Sequence, residues 1–164
     1  MNNLIRNLII LGIVVVGVVA VMMVSFGGND GPESSASVLQ ATETNYDFQT
    51  ISMKDGLAKH EYKLKNEGDT AVEIQKVSTS CMCTEAYVVA DGEEYGPYGM
   101  GGHGGASSTG VMVKPGETVT VRAEFDPAAH GPSGVGRAER VIFVETNSTQ
   151  SPRVELKFEA TVTP

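Results

Sequence analysis

The sequence lacks the residues on which several classes of protein depend. It contains no Trp, two Cys and three His among 164 residues. Two Cys exclude a disulfide-dense scaffold and a four-Cys zinc site. Basic residues are also scarce, since 12 Lys and Arg stand against 20 Asp and Glu, for a net charge of -8. A chain this acidic has no basic surface for nucleic acid or anionic lipid, so we expect no nucleic-acid partner.

Catalytic motifs are absent as well. No Ser, His and Asp occur in an order with supporting motifs, and no pair of carboxylates at catalytic spacing stands out. The Gly-rich segment is not a phosphate-binding loop, because no Gly-Lys-Ser or Gly-Lys-Thr follows it. We therefore expect a protein that is not an enzyme and that needs no cofactor for a reaction.

One long apolar run is present near the N-terminus. Leu8 to Val24 are 17 residues without a polar side chain, and about 20 such residues span a bilayer. The run exceeds the ~7–15 apolar residues of most signal peptides, and no cleavage site follows it closely. We expect residues 1–26 to form an uncleaved transmembrane anchor that contacts the membrane through residues 4–26. A cleaved signal peptide is the alternative.

The charges beside this run predict its orientation. Arg6 precedes the run, whereas Asp30 and Glu33 follow it. By the positive-inside rule the N-terminus is cytoplasmic and the rest is extracytoplasmic, so we expect a single-pass membrane protein. Residues 27–44 are small and polar and are expected to form a flexible linker.

Residues 45–164 show a period of two, which is typical of strands. Tyr62 and Leu64, for example, alternate with charged residues, and Leu156, Phe158 and Ala160 do the same near the C-terminus. Turn residues separate seven such segments, namely 46–51, 60–65, 72–83, 87–90, 119–125, 142–144 and 154–162. The pattern predicts an all-β, seven-stranded antiparallel immunoglobulin-like β-sandwich, preceded by one N-terminal transmembrane helix.

An ordered series of short motifs resembles a bacterial family. The motifs are Phe48-Gln49-Thr50-Ile51, the run from His60 to Asp69, Thr79-Ser80-Cys81-Met82-Cys83-Thr84, Pro115-Gly116-Glu117, Phe125-Asp126-Pro127 and Thr146-Asn147. Over residues 45–162 the chain is similar to the domain-of-unknown-function family 1573, which is related to the Hydin-type and major-sperm-protein-like immunoglobulin folds. The resemblance implies a binding or scaffolding domain and no reaction. Together with the orientation predicted above, it implies a protein of a bacterial cell membrane with its domain in the periplasm or cell envelope.

The chain departs from this family in two places. Met82 stands between the two Cys where Gly is typical, and the stretch 91–113 is longer and richer in Gly than the usual short connection. Both departures lie near the most unusual chemistry of the chain.

Cys81 and Cys83 are the first candidate site. On an extended strand, their side chains share one face about 6.5 Å apart, which is too far for an unstrained disulfide. Three interpretations stay open: two small core residues, a thiolate pair for Cu(I) or Zn(II), or a redox-active pair of thiols.

The Gly-rich loop 91–113 is the second candidate site. Met100 and His103 are soft and borderline ligands that could complete a metal site with the two Cys, and Met82 and Met112 offer further thioethers. Alternatively, the loop is an inert surface segment.

The same loop also has the features of a partner-binding tip. The residues that would contact a partner protein or envelope component are Tyr95, Tyr98, Met100 and His103.

The other two histidines are not candidate ligands. His60 is expected to be a structural strand residue, and His130 an exposed residue of a turn-rich connection. Three functions follow, in order of preference: an extracytoplasmic binding module, a copper-binding protein and a thiol redox protein.

Overall fold

The computed structural model describes residues 2, 34–102 and 108–164. In these residues the fold is all-β, with ten strands and two short 3-10 helices, Met53–Asp55 and Gly131–Gly134. The strands are β1 (Leu39–Ala41), β2 (Asn45–Ser52), β3 (Ala58–Asn66), β4 (Val72–Thr79), β5 (Thr84–Ala90), β6 (Glu93–Tyr98), β7 (Ser108–Val113), β8 (Thr118–Phe125), β9 (Gly136–Thr146) and β10 (Arg153–Thr163).

The strands form two five-stranded sheets around one core. The first sheet has the order β1-β3-β8-β5-β6, and the second has the order β2-β10-β9-β4-β7. Phe125 of β8 and Phe158 of β10 meet between the sheets, with ring centroids 5.4 Å apart. The Tyr62 hydroxyl of β3 donates a hydrogen bond to the Lys157 carbonyl of β10 at 2.7 Å. The two sheets therefore pack face to face as a β-sandwich.

Alternation of apolar and polar residues accounts for the central strands. Tyr62 and Leu64 of β3 are completely buried, while Glu61 and Lys63 between them are exposed. Successive strand side chains point to opposite faces, so each such strand places one apolar row in the core. The predicted β-sandwich rests on this pattern and is present.

The predicted number and direction of strands are wrong. The described residues contain ten strands instead of seven, and β2 pairs with β10 in parallel, with Tyr46 opposite Phe158. The additional strands β1, β6 and β7 lie at sheet edges. An edge strand needs fewer buried residues, and β6 buries only Tyr98, so the alternation that identifies a strand is weak there.

The structure does not support the predicted N-terminal transmembrane helix. Within the described part of the chain, no helix is long and apolar enough to cross a membrane. Residues 4–26, on which that prediction and the membrane contact depend, lie outside the described residues. The fold class is therefore corrected to an all-β fold of two five-stranded sheets. The segment 34–44, predicted as part of a linker, contains β1 and the buried Ser35 and Ser37.

Candidate functional site

Cys81 and Cys83 lie in the tight turn that joins β4 to β5. The Thr84 backbone N–H donates to the Cys81 carbonyl at 3.2 Å and closes this turn. The buried Thr79 hydroxyl lies 3.0 Å from the carbonyl oxygens of both Cys81 and Thr84. The sequence predicts both Cys on one extended strand, and this prediction is wrong. The turn brings their sulfur atoms within 4.8 Å of each other.

His130 joins the two Cys from a different part of the chain. Its Nε2 atom lies 3.4 Å from the Cys81 sulfur, and all three potential ligand atoms lie within 4.8 Å of one another. His130 directly precedes the 3-10 helix Gly131–Gly134, in the connection between β8 and β9. The Asp126 backbone N–H donates to the Cys83 carbonyl at 2.9 Å, which holds this connection against the Cys turn. We call Cys81, Cys83 and His130 the thiol–imidazole cluster.

Arg140 of β9 is the cation of the site. Its Nε–H donates to the Cys83 sulfur at 3.0 Å, and its Nη1 donates to the Glu139 carbonyl at 2.8 Å. The guanidinium carbon also lies 5.7 Å from the centroid of the Phe125 ring. These contacts fix the direction of the guanidinium, so a permanent positive charge stands beside Cys83.

Backbone pairing fixes β9 against the Cys turn. The Ser80 N–H donates to the Val141 carbonyl at 2.9 Å, and the Val141 N–H donates to the Ser80 hydroxyl at the same distance. Arg140 is adjacent to Val141, and Ser80 is adjacent to Cys81. The position of the guanidinium is therefore set by the sheet as well as by its own hydrogen bonds.

The two thiols differ in exposure and in acidity. Burial raises the pKa of Cys81, but hydrogen bonds from Cys83 and His130 and the charge of Arg140 outweigh this effect and lower the pKa to about 7. Burial raises the pKa of Cys83, and the neighbouring Cys81 raises it further, against the hydrogen bond from Arg140. Cys83 is only 3% exposed, whereas Cys81 is partly accessible. Cys81 is therefore the reactive sulfur of the pair.

Of the other predicted ligands that the structure describes, Met100 lies beside the Cys turn and Met112 lies away from it. Met100 pairs with Thr79 through an isolated bridge, and the Thr79 N–H donates to the Gly99 carbonyl at 3.1 Å. Met112 is half exposed on the edge strand β7. His103 lies outside the described residues. Met82, which is adjacent to both Cys in the chain, is 68% exposed.

Two of the predicted partner-binding residues, Tyr95 and Tyr98, lie on a strand rather than at a loop tip. Tyr95 and Tyr98 belong to β6, which pairs with β5 at the edge of the first sheet. Tyr98 is 3% exposed and contributes to the core, whereas Tyr95 is 37% exposed. Among the residues of this predicted tip that the structure describes, only Tyr95 and Met100 are therefore available to contact a partner.

Sequence reasoning missed His130 and Arg140 as partners of the Cys pair. His130 lies 49 positions from Cys81, and Arg140 lies 57 positions from Cys83. No short motif joins residues so far apart. The pairing of β9 with β4 places Arg140 beside the Cys turn, and the connection between β8 and β9 places His130 there. The one signal in the sequence was the turn-rich connection around His130, which marks it as a loop residue and gives no partner.

Comparison with known proteins supports the family and the fold. Residues 39–96 match the family described as "Protein of unknown function (DUF1573)", which confirms the resemblance stated from the motifs. The matched segment contains both Cys but ends before His130 and Arg140. No curated protein matches the sequence of the chain.

Solved structures of several kinds contain a similar sandwich. A protein of unknown function from Porphyromonas gingivalis W83 is 19% identical with a TM-score of 0.58, over 80% of this chain and 51% of that one. The Vibrio cholerae VesB protease is 13% identical with a TM-score of 0.51, over 75% and 31%. The ASH/PapD-like domain 7 of human CEP192 is 15% identical with a TM-score of 0.44, over 84% and 91%. The chain spans about half or less of the first two, and at such identities the likeness to these two shows the fold alone.

Proposed function

Since this chain carries the DUF1573 family segment on an immunoglobulin-like sandwich, we propose that it is a binding module whose ligand is one Cu(I) ion, held by Cys81, Cys83 and His130. One observation carries the proposal: two sulfur atoms and one imidazole nitrogen lie within 4.8 Å of one another. An ion at the centre of such a group reaches all three donors after small side-chain rotations. Thiolate and imidazole are the ligand types that copper prefers in proteins.

The charge of the site favours Cu(I) over Zn(II). Two thiolates and one Cu(I) carry a net charge of -1, which the adjacent Arg140 balances. Two thiolates and one Zn(II) are neutral, so the half-buried guanidinium would then be an uncompensated positive charge. Because an unpaired charge is costly to bury, the presence of Arg140 supports the monovalent ion.

Arg140 also supports the ligand role of Cys83. A hydrogen bond to a metal-bound thiolate orients the ligand and stabilises its negative charge. The Arg140 Nε–H lies 3.0 Å from the Cys83 sulfur and already provides this bond. The buried thiol, whose pKa is raised in the free protein, therefore has a donor in place for the moment it binds metal and loses its proton.

A titration of the full-length, reduced protein with Cu(I) against a chromophoric chelator tests this proposal. We expect one Cu(I) per chain, and competition with Zn(II) should leave copper in the site. Cys81→Ser and Cys83→Ser should each abolish tight binding. His130→Ala should weaken it by about tenfold or more, as expected for loss of one of three ligands.

Met112→Leu is the matched control for the titration. Met112 is a soft, half-exposed residue of β7 that pairs with Glu73, at the end of β4 away from the thiol–imidazole cluster, so this variant should bind Cu(I) as the wild type does. Tight binding that survives Cys81→Ser, or a preference for Zn(II) over Cu(I), would overturn the proposal.

A further inference from the structure

We propose that Cys81 and Cys83 also perform thiol–disulfide exchange, in which Cys81 bonds to the sulfur of a partner molecule and Cys83 displaces that partner. The activity is separate from metal binding, since it requires the metal-free thiols and involves formation of a covalent bond. Its partner is any molecule with a disulfide or a pair of thiols. The structure meets three requirements of this chemistry. Only one of the two sulfurs is accessible from solvent, the second sulfur lies close to the first, and each sulfur has a hydrogen-bond donor.

Access differs sharply between the two sulfurs. Cys83 is 3% exposed, whereas Cys81 is partly accessible. Met82, which follows Cys81 in the chain, and His130, whose Nε2 atom lies 3.4 Å from the Cys81 sulfur, are both exposed. An incoming disulfide can therefore reach the Cys81 sulfur from the surface but cannot reach the Cys83 sulfur, which gives the pair a fixed order of reaction.

The turn places the second sulfur close enough to complete the exchange. A disulfide requires Cα atoms about 4.4–6.8 Å apart, and residues i and i+2 of a closed β-turn lie within this range. The Cys81 carbonyl accepts from the Thr84 N–H, so the two Cys occupy positions i and i+2 of such a turn. Their sulfur atoms are within 4.8 Å, and rotation of the Cys81 side chain brings them together.

Each sulfur has a hydrogen-bond donor that stabilises negative charge on it. The Cys83 backbone N–H lies 3.4 Å from the Cys81 sulfur. The Arg140 Nε–H lies 3.0 Å from the Cys83 sulfur. Thiolate forms at one sulfur or the other as bonds form and break, and these two donors serve one sulfur each. Arg140 is thus a positioning residue for the step in which Cys83 reacts.

The reaction balances without any further reagent. The Cys81 thiolate attacks one sulfur of a partner disulfide, the partner S–S bond breaks, and one partner thiolate leaves. Cys83 then loses its proton to solvent and attacks the Cys81 sulfur, which releases the second partner thiolate and forms the Cys81–Cys83 disulfide. Two electrons pass from the protein dithiol to the partner disulfide. In reverse, a partner dithiol reduces the protein disulfide by the same steps.

Reaction of the reduced, full-length protein with oxidised glutathione, in the presence of a metal chelator, tests the proposal. We expect the wild type to release two molecules of glutathione per chain and to become lighter by two hydrogen atoms. Cys83→Ser should stop at a stable mixed disulfide at Cys81, located by peptide mass spectrometry. Cys81→Ser should react at least tenfold more slowly, because only the buried Cys83 remains.

Two Arg140 variants test the role of the guanidinium. Arg140→Gln should accumulate mixed disulfide that the wild type resolves, and Arg140→Lys should restore resolution in part because it keeps a cationic donor. Circular dichroism checks that each variant is folded, and Met112→Leu is the control with wild-type kinetics. Equal reaction rates of Cys81→Ser and Cys83→Ser, or a wild type that remains a mixed disulfide, would overturn the proposal. Copper binding is measured separately, so either activity can fail without the other.

Discussion

Cys81 and Cys83 are separated by one residue, but the pKa of Cys81 is lowered and the pKa of Cys83 is raised. Burial raises the pKa of both, but only Cys81 receives hydrogen bonds that outweigh this effect. His130 lies beside the sulfur of Cys81, whereas Cys83 is enclosed near Arg140 and the core. The hydrogen bond between the two thiols therefore already separates their pKa values within the Cys-Met-Cys segment, and His130 from the β8–β9 connection and Arg140 from β9 lower the pKa of Cys81 further.

At this residue scale we predict that alkylation of Cys81 by iodoacetamide has a midpoint near pH 7. The thiolate is the nucleophile, and the pKa of Cys81 is lowered to about 7. The rate should therefore fall about tenfold for each pH unit below the midpoint and level off above it. Mass spectrometry of the metal-free protein gives the rate at each residue, and Cys83, with its raised pKa and burial, should remain unmodified over this range.

Variants of His130 and Arg140 should shift the midpoint of this pH profile in a known direction. Removing the hydrogen-bond partner in His130→Ala, or the positive charge in Arg140→Gln, makes the Cys81 thiolate less stable. The midpoint should move to higher pH in both, toward that of an ordinary thiol. A wild-type rate that rises only near pH 9 would contradict the prediction.

At the scale of elements, the turn between β4 and β5 depends on one buried hydroxyl. Thr79 is 3% exposed, and its hydroxyl lies 3.0 Å from two carbonyl oxygens of the turn. We predict that Thr79→Val, which keeps the shape but loses this donor, lowers the free energy of unfolding by about 0.5–1.5 kcal/mol, the net contribution of one hydrogen bond, because the Cys81 carbonyl still accepts from the Thr84 N–H. Urea unfolding followed by circular dichroism measures this loss.

Thr79→Ser is the matched variant for this prediction. It keeps the hydroxyl and removes one buried methyl group, so it should lose packing energy but keep the geometry of the turn and the rate of disulfide closure. The disturbed turn in Thr79→Val should also slow closure of the Cys81–Cys83 disulfide. Wild-type stability of Thr79→Val would show that the hydroxyl does not hold the turn.

The sequence predicts strands well where burial is regular and poorly at the edges of sheets. In β10, Leu156, Phe158, Ala160 and Val162 are all buried, and their spacing of two alone identifies a strand. In β6, Gly96 and Pro97 interrupt the pattern, and both are typical of loops. Such a strand is stabilised by pairing with β5, and pairing across a sheet is not a local property of the sequence.

At the scale of the whole molecule, the candidate site has a local half and a distant half. The two Cys are two positions apart and were identified from the sequence. His130 and Arg140 are 49 and 57 positions away from the sulfurs that they contact, so their part in the site could be recognised only in the fold. Folding therefore adds an imidazole and a cation to a pair of thiols that exists already in the unfolded chain.

This division predicts how Cu(I) affects stability. A ligand that binds only the folded state stabilises it by about 2.7 kcal/mol at a free concentration 100 times its Kd. The unfolded chain keeps Cys81 and Cys83 close together and retains some affinity, so the observed gain should be smaller than this limit. The gain in stability that is observed is the part that His130 and Arg140 contribute, because the unfolded chain cannot bring these two residues to the metal.

Thermal unfolding with and without buffered Cu(I) measures this gain. We expect a rise in Tm for the wild type, a smaller rise for His130→Ala, and none for the variant with both Cys replaced by Ser. Equal rises in the wild type and His130→Ala would mean that Cu(I) binds the two thiols alone and that the fold contributes nothing through His130.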